Sequence, residues 1–149
     1  MAAHYEAGVD VTSPIQVLEC IVVTPEATAL EMLAEFVALP LYDGELGVLP
    51  GHSPFIGRLG YGELRVRADG KTVRMYVNGG FVQVVGRVVS VLTNSAVPAE
   101  KLSAPVAAEH LATARARKAN SPELIAIRDR LEQQARAQLR IAQHVGTAT

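Results

Sequence analysis

The stretch Leu39-Pro40-Leu41-Tyr42-Asp43-Gly44-Glu45-Leu46-Gly47-Val48-Leu49-Pro50-Gly51-His52-Ser53-Pro54 constrains the fold of this chain more than any other. Its three glycines and three prolines fix several backbone angles, so it cannot be regular helix and must form a defined turn. Asp43 and Glu45 flank Gly44 at an acidic tip. Leu39, Leu41, Leu46, Val48 and Leu49 are placed to anchor the segment in a core and leave both carboxylates facing outward. A rigid contact loop is built in this way.

On either side of that loop the pattern changes twice. Residues 1–14 read as a flexible lead-in, and 15–23 form a β-rich run with partial alternation that stops at Thr24-Pro25. Residues 27–38 are rich in Ala, Leu, Glu and Met, so local propensity alone predicts a helix there. Beyond the loop, 63–67 alternate, Asp69-Gly70 signals a tight hairpin, and 72–77 answer on the other side. Asn78-Gly79-Gly80 reads as a further turn into 81–85, and Gly86-Arg87 as another into 88–92. Short strands at such spacing predict an all-β sandwich or barrel. From Pro98 the composition becomes alanine-rich and helical, with Ser103 as an N-cap and Pro105 in the first turn. Asn120-Ser121-Pro122 breaks the helix and starts a second, which predicts an antiparallel pair. Leu124, Ile127, Leu131, Ala135, Leu139 and Ala142 make one apolar stripe on that second helix, with Arg128, Glu132, Arg136 and Arg140 beside it. The expected organisation is therefore a lead-in (1–14), a β domain (15–97), a helical hairpin (98–145) and a tail (146–149).

Charge is distributed unevenly. No lysine or arginine precedes Arg58, whereas Glu6, Asp10, Glu19, Glu26, Glu31, Glu35, Asp43 and Glu45 all do. Two differently charged regions point to two partners. No apolar run approaches the length of a membrane span, and the first fourteen residues carry no arginine and no apolar core, so a bacterial cytoplasm is the expected compartment. The lone Cys20 excludes an intramolecular disulfide and reads as a small buried side chain.

Enzyme chemistry finds no foothold in this sequence. His4, His52, His110 and His144 are scattered and no cysteine lies near any of them, which predicts no metal site. Ser53 lacks the frame of a nucleophile elbow. Gly70-Lys71-Thr72 resembles the end of a phosphate loop, but the position of its first glycine is Arg65 and the triplet joins two strands. The arginines of the second helix are not interleaved with aromatics and are interrupted by Asp129 and Glu132, which excludes a nucleic-acid stripe. Neither a catalytic residue nor a cofactor is expected.

The segment Gly44-Glu45-Leu46-Gly47-Val48-Leu49-Pro50-Gly51-His52-Ser53-Pro54 resembles, almost residue for residue, the signature of the epsilon subunit of F-type ATP synthases. Arg65-Val66, Gly79-Gly80-Phe81, Val91-Leu92 and the order of elements extend the likeness from Ile15 to about His144. The resemblance implies an α+β protein of two domains, an N-terminal antiparallel β-sandwich followed by a C-terminal antiparallel α-helical hairpin. It places strands at 27–31 and 35–41 in place of the helix that propensity favours. It also implies a non-catalytic rotor subunit in the central stalk, peripheral to the cytoplasmic face of a bacterial inner membrane. Its partners would be the gamma subunit, the c-subunit ring and the alpha/beta catalytic hexamer. By position in the motif, Tyr42, Asp43 and Glu45 would touch the c ring, and His52, Pro54 and Phe81 would touch gamma. Arg128, Arg130, Arg136 and Arg140 would meet the beta subunit when the hairpin extends and restrains ATP hydrolysis. Some family members bind ATP through Ile or Leu, Asp, two variable residues, Arg and Ala. Here that stretch is Leu102-Ser103-Ala104-Pro105-Val106-Ala107, without the acid or the cation, which predicts weak or no ATP binding. The competing reading is a free-standing β-sandwich module that docks a partner through its helical hairpin.

Overall fold

A computed structural model describes residues 3–5 and 17–147, with side chains for 17–145. The chain divides into two compact units, Met1–Ala96 and Val97–Thr149.

The first unit is built of β1 (Ala3–Tyr5), β2 (Leu18–Val23), β3 (Thr28–Ala34), β4 (Phe36–Leu41), β5 (Gly44–Val48), β6 (Phe55–Ala68), β7 (Lys71–Val85) and β8 (Val88–Leu92), with β9 (Ala96–Pro98) at its end. The strands hydrogen-bond in the order β1-β3-β2-β8-β7-β6-β4-β5. Most pairings are antiparallel as expected, but β1–β3 and β2–β8 are parallel. Residues Ala3–Tyr5, expected within an unstructured lead-in, pair with Leu30, Glu31 and Met32; the rest of that lead-in, with Ile15 and Gln16, lies outside the described residues.

Residues 28–34 and 36–41 are strands, as the family resemblance implied and propensity did not. Burial along β3 alternates, with Leu30, Met32 and Ala34 inside. That period of two lets one face enter the core between neighbouring strands, a gain that outweighs the small helix preference of Ala, Leu and Met. Glu35 separates the strands: its N–H donates to the Arg67 carbonyl at 2.8 Å and its Oε1 accepts from the Asp69 N–H at 3.1 Å.

The longest elements, β6 and β7, form one hairpin. Its turn holds Asp69 and Gly70 at φ of 52° and 73°, the pair of left-handed residues that matches strand twist. The predicted turn at 78–80 is absent, because β7 runs through it and the register continues from Tyr61↔Asn78 to Leu59↔Gly80. Gly79 and Gly80, at φ of 69° and 109°, bend the strand instead. A Cβ on Gly80 would collide with the carbonyl oxygen of Leu92, so only glycine lets β8 pass here. The bend is pinned at Asn78, whose N–H donates to Ser95 O (3.1 Å) and Thr93 Oγ1 (3.0 Å), while its Oδ1 accepts from the Tyr76 hydroxyl at 3.0 Å. This curvature closes the sheet over a core that includes Leu18, Val22, Leu39, Leu64, Val66, Val77, Val84 and Val91.

The second unit has a 3-10 turn at Ala99–Lys101, then α1 (Ala104–Ala116) and α2 (Pro122–Thr147). The predicted caps form: Ser103 Oγ accepts from the Val106 N–H at 3.4 Å, and Ser121 Oγ from the Leu124 N–H at 3.2 Å. Helix α2 continues through Gly146 and Thr147, which were expected in the tail. Ala135 and Ala142 of the predicted stripe are buried; Ile127, Leu131 and Leu139 are half-buried, and Leu124 is exposed.

Candidate functional site

The glycine- and proline-rich stretch is more ordered than a contact loop. Leu39 and Leu41 belong to β4, residues 44–48 form β5, and Tyr42-Asp43 joins them at the tip of a hairpin in register from Val37↔Val48 to Leu41↔Gly44. Leu39 and Val48 enter the core, and Leu41 and Leu46 pack against it. Leu49, read as a fifth anchor, is 56% exposed, because the chain leaves the sheet at the turn where the His52 N–H donates to the Leu49 carbonyl.

Both carboxylates expected to face solvent are exposed, Asp43 at the tip and Glu45 beside it, and Glu45 is also engaged. Its Oε1 accepts from Arg65 at 2.6 Å, and Arg65 in turn lies 3.8 Å from Glu63, which holds Arg74 at 2.9 Å. Single exposed ion pairs contribute about 0–1 kcal/mol, so the importance of this row lies in geometry, not stability. Tyr42 is fixed from the other side. Its N–H donates to the Arg58 carbonyl at 2.9 Å, and the Arg58 guanidinium sits 4.5 Å above its ring centroid.

Arg58 and Phe81 face each other across β6–β7, and Phe81 faces Leu92 across β7–β8. Together with Tyr42, Tyr61 and Asn94 they line a groove of about 680 Å³. The structure thus gathers Tyr42, assigned by resemblance to one partner, and Phe81, assigned to another, around one hollow. His52 lies elsewhere, with Nδ1 donating to the Ser53 carbonyl at 2.7 Å and its ring edge-on to Phe55 at 6.4 Å; Pro54 beside it is exposed.

A wide apolar surface continues from the groove. Alternation puts Ile56 on the same outward face of β6 as Arg58, Phe81 and Val85 on that of β7, and Leu92 on that of β8. Ile56, Phe81, Val85 and Leu92 are each more than half exposed, and Ile21, Val23 and Val88 extend the patch half-buried. Monomeric soluble proteins seldom leave such a contiguous face uncovered. Sequence reasoning named only Phe81 from this surface. The signal was present in Phe81-Val82-Gln83-Val84-Val85 and Val88-Val89-Ser90-Val91-Leu92, where both phases of the strand carry apolar residues, the pattern of strands buried on two sides.

On α2, Arg130 and Arg140 are exposed, Arg136 lies 3.8 Å from Glu132 one turn earlier, and Arg128 lies 3.8 Å from Asp129. Among the described residues no cluster of three His, Cys, Asp or Glu could hold a metal ion, and no helix is long and apolar enough to cross a membrane.

Residues 17–99 match the model of the ATP synthase delta/epsilon chain beta-sandwich domain. An ATP synthase epsilon chain from Rhodopirellula baltica is 48% identical over 123 residues, covering 83% of this chain and 96% of the relative. One chain of the Euglena gracilis mitochondrial ATP synthase, in a structure of OSCP, F1 and c-ring, superposes with a TM-score of 0.68 at 27% identity, covering 97% of this chain and 88% of that one. A chain from the central stalk and c-ring of the Tetrahymena thermophila mitochondrial ATP synthase shares the fold, with a TM-score of 0.68 at 12% identity over 87% of this chain and 99% of that one. With the sandwich matched across more than half its residues and an epsilon chain aligned along most of its length, this protein belongs to the ATP synthase epsilon chain family.

Proposed function

We propose that this chain is a rotor subunit of the central stalk, without an active site of its own, that couples gamma to the c ring during rotary ATP synthesis. The observation that carries this reading is the uncovered apolar face of Ile56, Phe81, Val85 and Leu92. A face of that kind is built for a lasting partner, and here the partner is gamma. Phe81 forms part of the seat, and His52 and Pro54, which lie just before Ile56 in the chain, would meet gamma as well. Tyr42, Asp43 and Glu45 belong to the neighbouring acidic hairpin, whose Tyr42 shares the groove with Phe81 and whose polar tip suits the polar loops of the c ring. The complex would hold the chain at the cytoplasmic face of a bacterial inner membrane. In the second unit, Arg128, Arg130, Arg136 and Arg140 would engage the beta subunit and restrain hydrolysis.

Reconstitution tests the reading. Purified chain is expected to form a stable complex with gamma, and Ile56→Asp together with Phe81→Asp to abolish it by at least about 100-fold in Kd, as loss of a central apolar anchor pair does. Those substitutions lie on the solvent face, so the melting temperature should hardly move. Retained gamma binding by the double variant would sink the assignment of this face.

A further inference from the structure

We propose that Arg65 is a positioning residue for c-ring coupling: it holds the Glu45 carboxylate in one place and orientation, with Glu63, which Arg74 bonds, as a counter-charge behind it. The inference rests on the reading of Glu45 as a c-ring contact. Left alone, a glutamate on a hairpin two residues from its tip would sample many rotamers, and docking would have to freeze them. Glu45 is 57% exposed, yet it is not alone. Arg65 reaches it from β6, across the whole width of β4. The residues in register beyond Arg65 are Ala38 and then Gly47, whose side chains are too short to obstruct the guanidinium.

The fork of Arg65 is divided between two acids, with Nη2 on Glu45 and Nη1 3.8 Å from Glu63. Glu63 is the least exposed member of the row, at 17%, and takes Arg74 at 2.9 Å on its other side. At 3.8 Å Glu63 acts on Arg65 as a counter-charge and not as a hydrogen-bond acceptor, so it keeps the guanidinium on this side of the sheet while the 2.6 Å bond orients the Glu45 carboxylate. The hydrogen bond takes Oε1 of Glu45. Oε2 then remains as the acceptor offered to a donor on the ring, an amide, hydroxyl or cation. Asp43, the other acid of the tip, has no such anchor in the row, which sets Glu45 apart as the preorganised contact.

The test uses the assembled ATP synthase in inverted membrane vesicles and reads ATP-driven ion uptake per ATP hydrolysed. Glu45→Gln and Arg65→Gln are each expected to lower that ratio roughly fivefold, the low end of typical coupling effects. Arg65→Lys, which keeps the charge but not the fork, should recover part of it. The double variant should be no worse than Glu45→Gln alone, since the two act as a unit. A wild-type ratio for Arg65→Gln beside a lowered one for Glu45→Gln would overturn the positioning role and leave the contact standing. Losses that multiply in the double variant would also overturn it. An unchanged ratio for Glu45→Gln would remove the contact itself and the proposal with it. A second measurement needs no substitution: carbon relaxation of the full chain should show the Glu45 side chain more ordered than that of Asp43. Equal mobility of the two would overturn the proposal independently of assembly.

Discussion

The two units are held together by different materials. The sandwich fills its interior with Leu18, Leu30, Leu39, Leu59, Leu64 and a set of valines, all essentially inaccessible. The helical unit buries chiefly alanines, Ala107, Ala114, Ala135, Ala137 and Ala142, with Leu111 and Ile141 as its larger contributions. A branched side chain removed from water contributes about 1.5–3 kcal/mol and an alanine far less, so burial stabilises the first unit far more than the second. The helical unit also leaves Val106, Leu124 and Ile125 in solvent, as a surface with a partner to find does.

The contrast breaks most visibly at Gly80. Alanine there meets the Leu92 carbonyl at a φ that side chains avoid, and should cost more than about 3 kcal/mol in the sandwich, enough to prevent it closing. Leu64→Ala should cost about 2–5 kcal/mol through the cavity it leaves. Leu111→Ala in α1 should lower only the helical transition, by about 2 kcal/mol, leaving the sandwich midpoint where it was. Urea unfolding followed by near- and far-ultraviolet circular dichroism separates the two. One common transition for all three variants would show that the units unfold together.

Next in size is a pH effect confined to the sandwich. Burial pushes the Cys20 thiol up to about 12, because an anion has no solvation there. In the unfolded chain the same thiol titrates near its ordinary value of 9.0. Below that pH both states hold the proton and the full stability is present. As pH rises, the unfolded state releases its proton and the folded state does not, so stability falls by up to about 1.4 kcal/mol per pH unit. At pH 10 wild type should have lost about 1.4 kcal/mol more than Cys20→Ala has, each measured against its own value at pH 7. Parallel losses for the two proteins would mean that the thiol ionises in place.

How far the sequence foretold these two units depends on where the deciding contact lies. Asp69-Gly70, Ser103 and Ser121-Pro122 were legible because each acts on its own neighbours, through left-handed backbone or a cap one turn away. Gly79-Gly80 was misread as a turn because the choice between turn and bend is made by Leu92, twelve residues further on. Residues 27–38 carry helix formers, and only the strands beside them make the alternate positions worth burying. The acidic tip was visible, but the grip of Arg65 on Glu45 crosses an intervening strand and leaves no local pattern. The uncovered apolar face was missed for the reverse reason. Both phases of 81–85 and 88–92 carry apolar residues, and which phase finds a cover is settled only by the folded sheet.

The helical unit itself is tested by its removal. An ATP synthase whose chain stops after Val97 keeps the sandwich and loses both helices, and should hydrolyse ATP roughly fivefold faster or more if the helices restrain the catalytic hexamer. Arg128, Arg136 and Arg140 would then be replaced singly, each expected to release part of that restraint. Unchanged hydrolysis with intact assembly would make the helical unit structural.

The smallest expected effect separates two roles of the first turn of α1. Ser103 caps the helix through a long bond of 3.4 Å, so Ser103→Ala should cost about 0.5–1 kcal/mol in the helical transition. The nucleotide motif that the family resemblance brings in would need an acid at this position and an arginine at Val106. With a neutral cap and an exposed valine there, the turn offers phosphate neither a cation nor the carboxylate that would orient one. Calorimetry on the isolated chain should therefore detect no submillimolar ATP binding, for wild type and Ser103→Ala alike. Submillimolar binding by wild type would mean that this turn recognises nucleotide through other groups, and that the helical unit is set by ATP as well as by its protein partners.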